Sequence, residues 1–216
     1  IGNEHIIPSY GIYEKFDDID FDKLPSQFVI KCTHDSGGLV IVRDKNNFDK
    51  IAAKEKISKC QKANFYRIAR EWPYKNVPHK ILIEKYMENN GKDLVDYKFY
   101  CFNGEPKFLY VSEGLENHET AKISFLNLDW TFSPYERADF APFKTLPEKP
   151  KHFEEMIEIS RKLSNNIPFV RVDLYEIDNK VYFSELTFSP CGGFMEFKNS
   201  NQDYEVGRML NINNLD

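Results

Sequence analysis

The sequence predicts an α+β fold in two lobes, and three observations carry this. Strand-like runs come in hairpin pairs, over 28–43, 94–112 and 169–187. Helical periodicity is concentrated in two stretches, one after Asn47 and one over 151–164. A turn-rich joint, Glu88-Asn-Asn-Gly-Lys92, separates the first pair from the others and is a candidate hinge. Strand pairs with segregated helices are the pattern of α+β architecture. We place residues 1–86 in a leading segment and N-terminal lobe with a glycine-rich hairpin, and residues 87–216 in a C-terminal lobe. The 216 residues suffice for one large domain or two small lobes, with 18 Phe and 12 Tyr to fill a core.

Residues 1–27 are mixed and carry an apolar set, Phe16, Ile19 and Phe21, that suits packing on a lobe. Phe28–Lys31 and Leu39–Arg43 read as short strands joined by Cys32-Thr-His-Asp-Ser-Gly-Gly38. This loop runs strand to strand, so it is not a Walker loop, which needs GxxxxGK[ST] before a helix. Its backbone N–H groups can still form an anion nest, and Lys31 at the strand end could reach the same phosphates. The alternative is a plain loose hairpin. Small polar residues in it bury little, which predicts a mobile loop. Asn46 or Asn47 can cap a helix with Phe48, Ile51, Ala52, Ile57 and Cys60 on its apolar stripe, and 63–70 continue it. Two prolines make 71–78 a loop. Lys80–Met87 is a strand.

Leu94–Phe102 and Lys107–Ser112 are strands, and Asn103-Gly104 between them is a strong hairpin signal. Asp96 and Lys98 share one face. Residues 113–122 are polar and predicted mobile, 124–132 a strand pair or loop, and 134–150 a loop. Pro150 opens a helix over 151–164, with Phe153, Met156, Ile157, Ser160 and Leu163 on one face. A short helix over 204–210 closes the chain.

The hairpin over 169–187 carries the chemistry. Arg171, Asp173 and Tyr175 alternate with Val172 and Leu174, and Glu185, Thr187 and Ser189 with Leu186 and Phe188. Each strand therefore has one polar and one apolar face. A two-residue turn at Asp178-Asn179 sets Asp173 against Ser184. A three-residue turn sets Asp173 opposite Glu185 and Arg171 opposite Thr187, and convergence of the polar faces favours this odd turn. Facing carboxylates roughly 4.5–5.5 Å apart at Cβ repel unless a cation or proton lies between them. Mg²⁺ with oxygen ligands at about 2.0–2.1 Å would fit. A charged face turned to solvent is the alternative.

Net charge is −5 and no long basic run is present, which argues against a nucleic-acid backbone binder. No apolar run approaches the ~20 residues of a membrane span, and no signal peptide is visible. We expect a cytoplasmic protein with reduced thiols. Cys32, Cys60, Cys101 and Cys191 show no zinc spacing, and no His neighbours Cys191 in sequence. The first residue is Ile, which suggests a part of a longer chain.

Read together, Lys31 before a glycine-rich hairpin, Glu84-Lys85-Tyr86-Met87, Asp96 with Lys98, Arg171-Val-Asp173 and Glu185-Leu-Thr187 form an ordered set. It resembles the ATP-grasp superfamily of carboxylate–amine ligases. The runs Gln27–Gly38, Asp96–Gly104 and Pro168–Tyr175 resemble its teichuronopeptide-biosynthesis (TupA-like) branch, which is bacterial and associated with surface polysaccharides. The resemblance covers nearly the entire chain.

The resemblance implies two α+β lobes whose antiparallel sheets clasp ATP. It implies that Lys31 binds phosphate oxygens under a lid made by Ser36, Gly37 and Gly38. It gives the adenine to Glu84, Lys85, Tyr86 and Met87, the ribose to Asp96, and a further nucleotide contact to Lys98. Asp173, Glu185 and Thr187 fall on the metal positions for Mg²⁺, with Thr187 where related ligases carry Asn. Arg171 would stabilise the transferring phosphoryl group, with Lys122 a further phosphate or substrate contact. The implied activity joins a small-molecule carboxylate, such as a uronic acid, to an amine through an acyl phosphate. The substrate-binding lobe usual in the family is absent from the sequence, so a further domain or partner would supply it. A kinase on the same fold and a non-catalytic nucleotide-binding module remain open alternatives.

Overall fold

The computed structural model describes residues 1–88, 94–115 and 119–212. The proposed hinge, apart from Glu88, lies outside the described residues, as does the middle of the polar 113–122 stretch. The chain divides into two compact units, one of residues 7–87 and one of residues 1–6 with 88–216.

In the first unit four strands, β1 (Ser9–Tyr13), β2 (Phe28–Cys32), β3 (Leu39–Val42) and β4 (Ile81–Lys85), form an antiparallel sheet ordered β1-β4-β2-β3. Phe28, Ile30, Cys32, Ile81 and Ile83 point to one face and meet Phe16, Ile19 and Leu24 from the leading segment and Ala53, Ile57 and Cys60 from helix α1 (Lys50–Lys62). Asp49, not Asn46 or Asn47, caps α1: its Oδ1 accepts from the N–H groups of Ile51 and Ala52 at 3.0 and 2.9 Å. The cap turns the helix so that Ile51 is 76% exposed and Ala53 takes the core position expected of Ala52. Asn64 caps a separate short helix, α2 (Phe65–Ala69), so the helix does not run on through 63–70.

The second unit is a five-stranded antiparallel sheet ordered β7-β6-β5-β8-β9. Its strands are β5 (Val95–Phe102), β6 (Glu105–Glu113), β7 (Lys122–Asn127), β8 (Phe169–Ile177) and β9 (Lys180–Thr187). Asn103 and Gly104, at φ 51° and 81°, make the two-residue turn between β5 and β6. Helix α3 (Phe153–Ser164) lays Phe153, Met156, Ile157 and Ile159 on one face of the sheet against Phe99, Leu109, Val172 and Leu174. The first six residues join this unit: Ile6 bridges to Phe183, and His5 Nδ1 lies 3.0 Å from the Val181 carbonyl. On the opposite face an aromatic cluster including Tyr100, Phe108, Tyr110 and Phe125 fills one end, covered by Phe197. The closing helix, α4, spans Ser200–Gly207 and starts four residues before the expected one.

Candidate functional site

The polar residues of the second sheet gather on the face that α3 leaves open. Asp96, Lys98 and Tyr100 alternate outward from the α3 side along β5, and the register sets Tyr175 against Asp96, Asp173 against Lys98 and Arg171 against Tyr100. On the other side of β8, Asp173 faces Glu185 and Arg171 faces Thr187. The odd three-residue turn is corrected by the structure. Ile177 pairs with Lys180 across a two-residue turn, in which Asp178 and Asn179 both have positive φ. The register then shifts at a β-bulge between Asp173 and Leu174, where Leu174 pairs with Phe183 but Asp173 with Glu185. Ser184 is the extra residue, and it supplies the one-residue offset that the turn does not.

These side chains form one continuous chain of charge-assisted bonds. Lys98 Nζ stands 3.0 Å from Asp96 Oδ1 and 2.6 Å from Asp173 Oδ2. Arg171 donates through Nε to Asp173 Oδ1 and through Nη2 to Oδ2, both at 2.7 Å, a bidentate pair. The same Nη2 donates to Thr187 Oγ1 at 2.9 Å, and that hydroxyl donates to Glu185 Oε1 at 2.8 Å. Asp173 is fully buried, whereas Glu185 is exposed. Burial works against the charge on Lys98, but Asp173 and Asp96 outweigh it and hold the ammonium above its ordinary range. Arg171 is likewise held above its ordinary value by Asp173 against the cost of burial. Burial pushes the Tyr175 phenol, beside Asp96, upward. Tyr110 lies under Arg171, whose guanidinium carbon is 5.8 Å from the ring centroid.

The fit to a divalent cation is partial. Glu185 offers an exposed carboxylate, but both oxygens of Asp173 already accept from cationic side chains. Among the described residues no group of three or more His, Cys, Asp or Glu side chains is placed to hold a metal ion. Lys122 begins β7 opposite Glu113 and shares its side of the strand with Ser124 and Leu126, the α3 side, rather than with Phe125 and Tyr110.

In the first unit Lys31 and Glu84 lie on the face away from the core, on a diagonal across β2 and β4 in which Glu84 is two residues from Leu82, the partner of Lys31, and they form an ion pair at 2.6 Å. The expected phosphate lysine and the first of the expected adenine residues are thus joined. Lys85 is exposed, Met87 is buried, and Arg43 stacks on the Tyr86 ring at 5.6 Å. The glycine loop buries more than its composition suggested. His34 stacks on His79 at 3.6 Å and its Nε2 lies 3.1 Å from the Cys60 carbonyl. Thr33 Oγ1 donates to the Pro78 carbonyl at 2.6 Å. Asp35 accepts from the Cys60 thiol, and Gly38 is buried where any Cβ would overlap that sulfur. Ser36 and Gly37 alone of the three expected lid residues are exposed.

Sequence reasoning missed Tyr110, whose place on the polar face follows from β6 register and from no motif. It also missed the extent of Lys98's role as a bridge between two aspartates. The Asp96/Lys98 alternation was visible, but the strand that supplies Asp173 lies 75 residues on.

The fold is similar to that of D-alanine–D-alanine ligase from Bacillus anthracis, at 17% identity and a TM-score of 0.51, over 96% of this chain and 61% of that one. It is equally similar to D-alanine–D-alanine ligase from Helicobacter pylori, at 17% identity and 0.51, over 95% of this chain and 57% of that one. The chain thus spans about three-fifths of the length of these enzymes. No curated protein matches the sequence. A family model described as TupA-like ATPgrasp matches residues 1–211, and the chain belongs to that family.

Proposed function

We propose that the protein is an ATP-dependent carboxylate–amine ligase acting in the assembly of a bacterial surface polysaccharide, with a uronic acid as the carboxylate. The observation that carries this is the chain Lys98–Asp173–Arg171–Thr187–Glu185 on one sheet face, in a member of the ATP-grasp family. Two cations held in fixed geometry suit a reaction in which the protein stabilises moving charge and supplies no nucleophile of its own. A carboxylate oxygen of the substrate attacks the γ-phosphorus of ATP, the bond from that phosphorus to the β,γ-bridging oxygen breaks, and ADP leaves. An amine then attacks the acyl carbon, inorganic phosphate leaves with the C–O bond electrons, and the nitrogen loses its proton to solvent. Arg171, aimed by its bidentate pair, is the residue placed to offset charge on the transferring group. Lys31, beside the exposed Ser36-Gly37 segment, is the one we assign to the nucleotide phosphates. Asp173, Glu185 and Thr187 would hold Mg²⁺ once Arg171 or Lys98 releases an Asp173 oxygen. When bound, such an ion offsets phosphoryl charge.

The test is ADP release with Mg-ATP and a panel of uronic acids and amines, for the parent chain and Glu185→Gln. The exposed Glu185 should leave folding stability within about 1 kcal/mol when changed, while ADP release falls tenfold or more. No binding of Mg-ATP to the parent chain in calorimetry would sink the reading. A second reading, a nucleotide-binding module without transfer activity, is favoured by the full pairing of Asp173, and binding without ADP release under every substrate pair would select it.

A further inference from the structure

A second guanidinium stands on the polar face of the second sheet, outside the chain of bonds described above. Arg137 comes from the irregular segment after β7 and is tied down by a backbone bridge to Phe197 and by the Lys198 N–H donating to the Glu136 carbonyl at 2.8 Å. Its side chain is 10% exposed. Asp139 takes its Nε and Nη2 at 2.8 and 2.6 Å, and Phe140 lies under the guanidinium at 5.0 Å. This fixes the plane of the group and uses one of its edges. Nη2 also lies 3.9 Å from the Cys191 thiol. Cys191 is exposed and belongs to the turn Pro190–Gly193, in which Cys191, Gly192 and Gly193 all have positive φ. Nη2 therefore serves both Asp139 and this turn, which reaches solvent at Cys191, while Nη1 takes part in none of these contacts. Phe140, under Arg137, packs against the aromatic cluster of Tyr100 and Tyr110, and Arg171 lies over the Tyr110 ring, so both guanidiniums lie against the cluster on this face.

A planar fork with one edge locked by an aspartate is suited to receive a carboxylate on the other. Arg171 is the cation beside Asp173 and Glu185, while Arg137 has no bond into that chain among the described residues. From this separation we infer that Arg137 binds a second carboxylate of the substrates, one that does not react. The inference rests on the ligase reading and names the substrate class it would take: either the amine is an amino acid, or the activated acid carries two carboxylates.

Calorimetry on the protein loaded with Mg²⁺ and a nonhydrolysable ATP analogue separates these sources. D-Alanine is compared with D-alaninamide, and the sugar dicarboxylate galactarate with galacturonate. The member of one pair that carries the additional carboxylate, D-alanine or galactarate, should bind at least tenfold tighter, the advantage should vanish in Arg137→Gln, and Arg137→Lys should recover it only in part. Equal binding within both pairs, or an advantage that survives Arg137→Gln, would overturn the inference. Affinity for the ATP analogue is read in the same preparations. Its absence in the parent chain counts against the ligase reading, whereas its retention in Arg137→Gln with loss of the acid preference supports Arg137 as a substrate anchor.

Discussion

Asp173 and Glu185 face each other across β8 and β9 although the turn between those strands has two residues, because the bulge at Ser184 shifts the ladder by one. The hairpin thus has two zones of different register. The turn zone ends at Leu174, and the carboxylates lie beyond it.

The first prediction concerns that turn. Asn179 sits at φ 57°, where a β-branched residue is strained. Asn179→Val should cost about 1–2 kcal/mol in urea unfolding, and Asn179→Gly should cost little or nothing. Since the bulge lies between the turn and the site, neither should change the rise in melting temperature on adding Mg-ATP by more than experimental scatter. A lost rise in Asn179→Val would show that the two zones are coupled.

Lys98 neutralises two buried aspartates. Replacing it with Met leaves both without their shared cation, which should cost about 3–5 kcal/mol. Removing one charge as well, in Lys98→Met with Asp96→Asn, should restore part of that loss, because the two positions interact directly. Chemical denaturation of the four proteins of the cycle measures this. Additive losses would mean that Asp96 is held by something other than Lys98.

His34 predicts a pH dependence. Burial pushes its imidazole below the ordinary value, with His79 adding to the effect. The folded state therefore keeps His34 neutral while the unfolded chain takes up a proton below about pH 6.5. The stability so gained is present above that pH and is lost as pH falls further. Melting temperature should decline between pH 7 and 5, and the decline should be shallower in His34→Gln whatever its absolute stability. Parallel curves for the two proteins would remove His34 as the cause.

Gly38 is a glycine because of Cys60. A Cβ there overlaps the thiol sulfur, so Gly38→Ala should lose about 1–3 kcal/mol. Adding Cys60→Ala removes the sulfur, the nearer of the two obstructing atoms, and should return part of it, since Asp35 Oδ2 also stands 2.5 Å from the added Cβ. A double variant no more stable than Gly38→Ala alone would point to the Asp35 carboxylate as the obstruction instead.

Much of the fold was legible because it is written in alternation and turn chemistry. Asn103-Gly104 announced its hairpin, and Val172 and Leu174 announced which face of β8 meets the core. The register of Asp173 with Glu185 was also anticipated, but for the wrong reason. A bulge has no sequence signature as plain as a turn, and Ser184 looks like any other strand residue. The cap of α1 was misplaced because Asp44, Asn46, Asn47 and Asp49 are all able caps, and the choice among them is made by which helical face then meets β2. The burial of the glycine loop depends on His79 and Cys60, residues distant in sequence, so composition alone could not show it. Arg137 sits in a stretch without periodicity, where a sequence gives no direction for a side chain.

The sharing of Lys98 has a thermodynamic consequence. In this chain of bonds two cations, Lys98 and Arg171, serve three carboxylates, Asp96 and Asp173 directly and Glu185 through the Thr187 hydroxyl. A polyphosphate that drew either cation toward itself would leave Asp173 short of countercharge in a place where water cannot supply it. Asp173 would then have a stronger claim on any divalent ion accompanying the nucleotide. Nucleotide and ion should therefore each raise the affinity for the other, by the same factor in both directions. The ion-pair chain of the free protein is in this sense one side of an exchange equilibrium, with the same carboxylates counted on both sides and their counterions traded.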